Sequence, residues 1–223
     1  MSPVKAGKRR TDGARAADGR TPGNRGRATR ERLLKCTADL LEKTSYRDLT
    51  VIEIARCAGT SPATFYQYFS DVEAAILMLA RAMAGHGAAL ATLIREANWK
   101  GKAGFDTAGE LVNGFLELWE EHRSLLRVVD LATLEGDLRF QNIRTHLLNQ
   151  VTEALRDVVE TFRSQHPSDL DPTAQAATIV SLLAHVASHR YGFEFWGIRT
   201  DHIRRSVTRT LYWTVTGRQP PGA

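Results

Sequence analysis

The segment covering residues 49–69 constrains the fold more than any other part of this sequence. Thr50 is a suitable N-cap, and Glu53, three residues later, completes the pattern of a capping box. Gly59 permits a turn with positive φ, and Ser61–Pro62 has the N-cap residue and first-turn proline that start a second helix. Because two helices this short are unstable alone, they must pack on a further element. The segment therefore predicts a helix-turn-helix.

The second of these helices presents a polar face to its surroundings. Phe65 and Phe69 lie four positions apart and share one side of the helix, which we expect to be buried. The outward and flanking positions are Ala63, Thr64, Tyr66 and Gln67. Glutamine can form two hydrogen bonds to adenine, and hydroxyl or phenol groups suit phosphates. This face predicts insertion in the DNA major groove; the alternative is a helical hairpin whose aromatic residues complete a core.

The same segment resembles the DNA-binding signature of TetR-family transcriptional regulators. The matching positions are Thr50, Ile54, Ala55, Ala58, Gly59, Ser61, Thr64, Phe65, Tyr66, Tyr68 and Phe69. The resemblance implies that bases face Ala63, Tyr66 and Gln67, and that Thr50, Thr64 and Tyr68 contact phosphates. With the N-cap of the second helix included, the predicted DNA-binding residues are Thr50, Ser61, Ala63, Thr64, Tyr66, Gln67 and Tyr68.

One position departs from the family pattern. Members usually carry a lysine soon after the last phenylalanine of the signature, whereas this chain has Val72 there. That phosphate contact is therefore missing. The backbone N–H groups after Asp71 could receive a phosphate instead, although the carboxylate itself would oppose it.

Basic residues are concentrated ahead of the helix-turn-helix. Residues 1–32 contain ten Lys or Arg and three Asp or Glu, a formal charge of +7, whereas the whole chain carries +5, so the remaining residues sum to −2. Residues 1–27 also lack apolar bulk, which predicts a disordered basic arm. Such an arm can neutralise DNA phosphates and raise general affinity. For base recognition we favour the alternative, a solvated tail.

The rest of the chain predicts helices and no strands. The predicted helices cover about 29–43, 71–98 with a bend at 85–87, 106–119, 124–134, 137–165, 172–196 and 200–216. We expect a loop over 99–104, N-caps at Asp106 and Asp171, and the end of the last helix at Gly217. With the helix-turn-helix, this is an all-α fold of about nine helices. The expected organisation is a helix-turn-helix domain over 28–70, a ligand-binding and dimerisation domain over 71–217, and a tail over 218–223.

Composition indicates a cytoplasmic protein without a membrane segment. The chain is 43% hydrophobic and 25% charged, which is typical of soluble globular proteins. The most apolar run that we identify, residues 179–187, is too short to span a bilayer. Cys36 and Cys57 do not indicate a disulfide framework, so we expect two unpaired core residues. The alternative for the cysteines is a redox switch.

The larger domain contains aromatic residues at helical spacing, which are ordinarily core residues. By similarity to TetR-family members that hold long apolar ligands, the expected pocket residues are Phe115, Trp119, Phe140, Leu147 and Val151, with His185 and His189 at its polar end. A largely apolar cavity with a few polar groups predicts an apolar or aromatic small-molecule effector.

The last two predicted helices are apolar on more than one face, and the family resemblance implies that they form the interface of a homodimer bound to a palindromic operator. We find no motif of an enzyme and expect no cofactor or metal. The sequence thus predicts a ligand-responsive transcriptional repressor. Two alternatives are a ligand-independent DNA-binding or architectural protein and a metal sensor that uses His185 and His189, which lack an evident third ligand.

Overall fold

The structure, a computed structural model, describes residues 24–163 and 170–221. These residues form eleven α-helices and no strand, so the predicted all-α class is confirmed. The helices are α1 (Asn24–Leu41), α2 (Val51–Cys57), α3 (Pro62–Tyr68), α4 (Val72–Ala84), α5 (His86–Glu96), α6 (Gly101–Glu121), α7 (Arg123–Leu134), α8 (Leu138–Arg163), α9 (Pro172–Ser188), α10 (Arg190–Phe195) and α11 (Thr200–Thr216).

The chain divides into two compact units after Ile76. We call residues up to Ile76 the amino-terminal unit and residues from Leu77 the carboxy-terminal unit. In the amino-terminal unit, α2 packs on both α1 and α3. Its core consists of Leu33, Leu41, Leu49, Ile54, Phe65, Phe69, Ala75 and Ile76. The two short helices of the predicted motif thus obtain their stability from burial against a third helix.

Helix α1 begins at Asn24, five residues before the predicted start at Thr29. Residues 24–27 are therefore helical and not part of a disordered arm, whereas residues 1–23 lie outside the described residues. The Thr29 hydroxyl donates a hydrogen bond to the carbonyl oxygen of Arg25 at 3.0 Å, so Thr29 sits inside the helix. Once a packed helix exists, each added residue gains one hydrogen bond, and a polar segment can extend it.

The expectation of two unpaired cysteines was wrong. Cys36 and Cys57, which are 21 positions apart in sequence, form a disulfide with Cα atoms 5.8 Å apart. The bond joins the middle of α1 to the last residue of α2. Cys36 is buried and Cys57 lies at the surface. This proximity depends on how α1 packs on α2, which the spacing of two cysteines does not reveal.

In the carboxy-terminal unit, α8 is the central helix and packs on α5, α7, α9 and α11. Two glycines allow very close approaches between these helices. A Cβ atom added to Gly87 would lie 2.3 Å from the backbone oxygen of Leu147, and one added to Gly114 would lie 2.6 Å from a methyl group of Leu90. The interior of this unit is therefore closely packed.

Two of the predicted long helices are each broken in two, which accounts for eleven helices in place of nine. The predicted helix over 71–98 is interrupted at Gly85, within the expected bend, and the helix over 172–196 is interrupted at His189. Glycine weakens a helix interior, which explains the first break. The predicted caps at Asp171 and Gly217 are confirmed: Asp171 accepts from the Ala174 N–H at 2.7 Å, and Gly217 has φ +67°.

Helix α6 begins earlier than predicted. Residues 99–104 were expected to form a loop and Asp106 to cap the helix, but α6 begins at Gly101 and Asp106 lies within it, paired with Lys102 at 2.7 Å. Gly104 allows this start, because a Cβ atom there would lie 2.2 Å from the backbone oxygen of Trp99. Trp99 in turn donates its indole N–H to the Ile94 carbonyl oxygen at 2.9 Å.

By length and composition alone, Val72–Glu96 is apolar enough to cross a membrane, with a mean hydropathy of 1.4 over its most apolar window. This run is longer than the 179–187 segment singled out from the sequence. Of that window, 44% is buried inside the protein, and core helices meet the same criterion. Composition is therefore weak evidence of a membrane contact here.

Candidate nucleic-acid interface and small-molecule sites

The start of α2 is held by the predicted capping box. The Glu53 N–H donates to the Thr50 hydroxyl oxygen at 3.2 Å, and the Thr50 N–H donates to the Glu53 carboxylate at 3.0 Å. A further bond from the Thr50 hydroxyl, at 2.7 Å, is the main reason that the pKa of Glu53 is lowered. The carboxylate therefore remains charged at the helix N-terminus, where the helix dipole favours it.

Helix α3 is fixed by a polar cap at its start and by two aromatic residues on its inner side. The Thr64 N–H donates to the Ser61 hydroxyl oxygen at 3.2 Å, and the two hydroxyl groups lie 3.1 Å apart. Phe65 and Phe69 are 0% and 3% exposed, with ring centroids 5.4 Å apart. Gly59, with φ +65°, makes the turn that precedes this helix. The helix is thereby anchored on one side only.

The other side of α3 is exposed. Ala63 and Gln67 are exposed, and Tyr66 is 54% exposed although its neighbour is fully buried. The remaining predicted DNA contacts are exposed at Thr50 and Ser61 and half-buried at Thr64 and Tyr68. All seven predicted residues thus belong to the amino-terminal unit and are at least partly accessible. Their individual contacts with DNA remain predictions.

The N-terminus of α4, the alternative phosphate site, is occupied by the protein's own carboxylate. Asp71 accepts a hydrogen bond from the Ala74 N–H at 2.7 Å and another from the Ser70 hydroxyl at 2.9 Å. A phosphate at this position would compete with a charge that already satisfies the helix N-terminus. This arrangement disfavours the alternative phosphate site.

The five apolar residues predicted to line a ligand pocket lie in the packed core. They are Phe115, Trp119, Phe140, Leu147 and Val151, and none is more than 5% exposed. Phe115 stacks on Trp119 with ring centroids 5.7 Å apart and an interplanar angle of 17°. The void beside Phe115 has no room for a water molecule. In this conformation the set forms core packing and not an open pocket.

The two histidines predicted for the polar end of that pocket are exposed at the surface. His185 is exposed on α9, and its ring stacks on that of His189 with centroids 4.2 Å apart. His189 follows α9 and receives or donates a hydrogen bond with the Ser188 hydroxyl at 2.7 Å. Over residues 24–163 and 170–221, no group of three His, Cys, Asp or Glu side chains is placed to hold a metal ion.

Several cavities indent the surface of the carboxy-terminal unit. One of about 590 Å³ lies at the ends of α8, α9 and α11, beside Phe162, Gln175 and Trp213. A second, of about 380 Å³, lies between the end of α6, helix α7 and the α9–α10 junction. We call the second the α7 cavity. Of the predicted pocket residues, Trp119 and His189 line it.

Sequence reasoning did not identify the α7 cavity. Its other lining residues are Glu120, Arg123, Leu126, Arg127, Asp130, Leu134, Ala187, Ser188, Arg190, Tyr191 and Glu194. The one signal in the sequence is the spacing of Arg123 and Arg127, which places two guanidinium groups on the same face of a helix. That spacing is also common on solvated helix surfaces.

Within the part of the chain that the structure describes, three buried side-chain atoms have no hydrogen-bond partner: Trp119 Nε1, His122 Nε2 and Thr133 Oγ1. His122 lies between α6 and α7, and its ring centroid is 5.0 Å from that of His86. Burial lowers the pKa of His122, and the nearby His86 lowers it further while the Glu121 charge opposes this. His122 therefore favours the neutral imidazole.

Two family models match the chain. Residues 33–74 match the bacterial regulatory proteins of the tetR family, and residues 90–222 match the tetracyclin repressor-like C-terminal domain. No functionally curated protein matches the sequence significantly.

Solved structures with the same fold include three regulators named FadR. The fatty acid degradation regulator FadR from Bacillus halodurans has a TM-score of 0.63 and 18% identity, with 89% of this chain and 97% of that chain covered. FadR from Bacillus subtilis in complex with stearoyl-CoA has a TM-score of 0.63 and 16% identity, covering 85% and 99%. The repressor FadR from Thermus thermophilus in complex with lauroyl-CoA has a TM-score of 0.54 and 20% identity, covering 87% and 98%.

Proposed function

This chain belongs to the TetR family of bacterial regulatory proteins, and we propose that it is a repressor released from a palindromic operator by a small, largely apolar effector. Family membership makes it a DNA-binding transcription regulator and not an enzyme. The observation that carries the proposal is α3, whose polar side is exposed while Phe65 and Phe69 hold its other side in a core.

Base recognition is assigned to the exposed side of α3. Gln67 supplies an amide that can pair with an adenine edge, and Tyr66 and Ala63 lie beside it on the accessible surface. Thr50, Ser61, Thr64 and Tyr68 supply hydroxyl groups for phosphates. Because the usual lysine is replaced by Val72, we assign the missing positive charge to the basic residues that precede Leu33.

Dimerisation is assigned to the last helices. Large apolar side chains are exposed there: Leu182 at 39%, Phe195 at 87%, Trp196 at 69% and Trp213 at 61%. Exposed large apolar side chains in this number support an interface. A second copy would cover these residues, and the resulting two-fold axis would match the symmetry of a palindromic operator.

The effector is assigned to the carboxy-terminal unit, near the five buried apolar residues around Phe115 and Phe140. Two neighbours with the same fold were crystallised with stearoyl-CoA and lauroyl-CoA. Here the corresponding interior is packed, so an apolar ligand would select a conformation in which those side chains separate. The resulting change in DNA affinity cannot exceed the difference in the ligand's affinity for the two conformations. We place the protein in the cytoplasm, with the DNA.

Operator binding is tested by fluorescence anisotropy with the upstream region of the gene and with shuffled DNA of the same length. We expect a salt-sensitive preference for the upstream DNA. Tyr66→Ala and Gln67→Ala should each lower affinity for it roughly tenfold or more and leave shuffled-DNA binding nearly unchanged. Gln141→Ala, an exposed glutamine on α8, is the matched control. Equal losses on both DNAs would refute the base-facing assignment.

Release is tested by adding lauroyl-CoA or stearoyl-CoA to the protein–operator complex, with coenzyme A alone as the control. Release by the acyl thioesters but not by coenzyme A supports an apolar effector. If no compound in a broad metabolite screen changes DNA affinity, the protein is a ligand-independent DNA-binding protein. Release by zinc ions, lost in His185→Ala and His189→Ala, would instead establish the metal-sensor alternative.

A further inference from the structure

The α7 cavity has the composition of a ligand site, and we infer that it binds a small carboxylate with an aromatic body. This inference deepens the proposed function and rests on it in one respect, namely that binding in the carboxy-terminal unit controls DNA affinity. The site is an existing cavity that shares Trp119 with the packed interior around Phe115 and Phe140. It combines a cavity of about 380 Å³ with uncommitted hydrogen-bond donors.

The acidic groups of the cavity already have basic partners. Glu120 accepts from Arg190 at 2.7 Å, and Glu194 lies 3.6 Å from the same guanidinium group. Asp130 accepts from Arg144 at 2.9 Å. Two guanidinium groups thus pair with the three carboxylates that line the cavity, which leaves one formal negative charge among these five groups. Arg123 and Arg127 add two positive charges, so the groups around the cavity carry a net charge of +1.

Two arginines that line the cavity have no acidic partner. Arg123 and Arg127 form no ion pair or hydrogen bond with any described residue. Because they are four positions apart on α7, their guanidinium groups leave the same face of the helix, about 6 Å apart at Cβ. A guanidinium group presents parallel N–H donors that match the two oxygens of a carboxylate.

Trp119, a residue of the cavity wall, also carries an unpaired donor. Trp119 lines the cavity and is 5% exposed, and its indole Nε1 is buried without a hydrogen-bond partner. A buried N–H without an acceptor is unfavourable, and nearly all such groups in proteins are paired. The indole and the guanidinium groups can only donate, so the complementary ligand group is one that only accepts. An ionised carboxylate is such a group.

The remaining lining residues indicate the chemistry of the uncharged part of the ligand. Leu126 is buried, whereas Leu134 is 86% exposed and Tyr191 is 59% exposed, so apolar surface and a ring face border the cavity. The volume is at the lower end of the range of about 300–1,000 Å³ for small-molecule pockets. This size suits a phenyl group with a short carboxylate chain and excludes a whole acyl-CoA.

The inference is tested on the full-length protein by isothermal titration with benzoate, phenylacetate and 3-phenylpropionate. Each is compared with its primary amide, which keeps the body and removes the charge. We expect saturable binding with at least one carboxylate bound tenfold or more tightly than its amide. Inorganic phosphate, titrated as a competitor at the same concentration, should not displace the carboxylate, because phosphate lacks the apolar body.

Variants assign the binding to the cavity. Arg123→Gln combined with Arg127→Gln should weaken the carboxylate tenfold or more and remove the preference over the amide. Trp119→Phe should weaken carboxylate binding by a smaller factor, since an aromatic ring is retained and only the N–H is lost. Arg204→Gln removes an exposed, unpaired arginine of α11 and should change neither the affinity for the carboxylate nor the preference over the amide. Circular dichroism and the melting temperature of each variant show whether it remains folded.

Two results would overturn the inference: no saturable binding by any of the three carboxylates, or equal affinities of wild type and the folded double arginine variant. Phosphate displacing the carboxylate at equal concentration would also overturn it, since the site would then bind oxyanions without regard to the body. The proposed function would be refuted by a different result. If the carboxylate binds as expected but the protein shows no operator preference, the regulator proposal is wrong and the site stands.

Discussion

The two units of this regulator place their aromatic side chains in opposite ways. In the amino-terminal unit, Phe65 is fully buried and the adjacent Tyr66 is 54% exposed, so one short helix carries both a core face and a contact face. In the carboxy-terminal unit, Phe115 and Phe140 are each 1% exposed, whereas Tyr191 and Phe195 on α10, Trp196 directly after it and Trp213 on α11 are exposed. The first unit offers a preformed surface, whereas the second keeps its apolar residues in packing contact.

This difference has a consequence for how each unit recognises its partner. DNA presents a rigid groove, and a preformed polar face can match it without a change in the core. The apolar effector that we propose for the carboxy-terminal unit would find no comparable space beside Phe115, where a water molecule does not fit. Binding there must therefore be coupled to repacking, which is what a ligand-controlled switch requires. Variants of core residues and of exposed residues should therefore differ in their effects within each unit.

The largest effect is expected where the two faces of α3 are separated by mutation. Phe65→Ala removes a fully buried ring and should destabilise the amino-terminal unit by about 3–5 kcal/mol. Tyr66→Ala, at the next position, should change stability by less than about 1 kcal/mol. Urea unfolding of both variants, followed by circular dichroism, measures the difference. Similar losses in the two variants would show that α3 does not have separate core and contact faces.

The next effect concerns the disulfide, which belongs to the amino-terminal unit alone. Closing a loop of about 20 residues stabilises a fold by about 3 kcal/mol. Cys36→Ser combined with Cys57→Ser should therefore lower the melting temperature of the amino-terminal unit and leave the carboxy-terminal unit unchanged. Thiol titration of the denatured wild type, before and after reduction, is the control. Two free thiols per chain before reduction would show that the bond does not form in solution.

The disulfide also illustrates which features could be predicted from the sequence. The caps at Thr50, Ser61 and Asp171 and the buried pair Phe65 and Phe69 are local patterns, because each involves residues three or four positions apart. They were predicted correctly. The Cys36–Cys57 bond depends on the packing of two helices, which no local pattern specifies.

The cavity sites show the same limit. Trp119 and His189 are 70 positions apart, and only the packing of α6 beside the α9–α10 junction brings them to one cavity. Aromatic spacing could identify Phe115 and Phe140 as inward-facing, but it could not distinguish a filled core from an open pocket. That distinction depends on close approaches such as the one between Gly87 and Leu147.

A smaller effect is expected at this close approach, which tests how tightly the carboxy-terminal unit is packed. Gly87→Ala would place a Cβ atom 2.3 Å from the Leu147 backbone oxygen, so α5 and α8 must separate, at a cost of about 1–3 kcal/mol. Gly109→Ala meets nothing closer than a Thr208 methyl group at 3.8 Å and should stabilise α6 by up to about 1 kcal/mol. Opposite signs in thermal unfolding support the packed interior. A neutral Gly87→Ala would show that the interior is already loose.

The smallest effect distinguishes the two caps of the helix-turn-helix. Thr50→Ala and Ser61→Ala should each cost about 1 kcal/mol at pH 7, because each removes the acceptor of a helix-capping hydrogen bond. Only the Thr50 cap includes an acid. The pKa of Glu53 is lowered from its usual 4.5, chiefly by the Thr50 hydroxyl, so this contribution is complete above that value and is lost as the pH falls through the lowered pKa. The free-energy cost of Thr50→Ala should therefore shrink in acid, while that of Ser61→Ala should not change.

Urea unfolding at pH 7 and pH 3 measures the free energy of unfolding of each variant, and Thr50→Ser is the control that keeps a hydroxyl. A pH-independent cost for Thr50→Ala would show that the Glu53 carboxylate contributes nothing to the capping box.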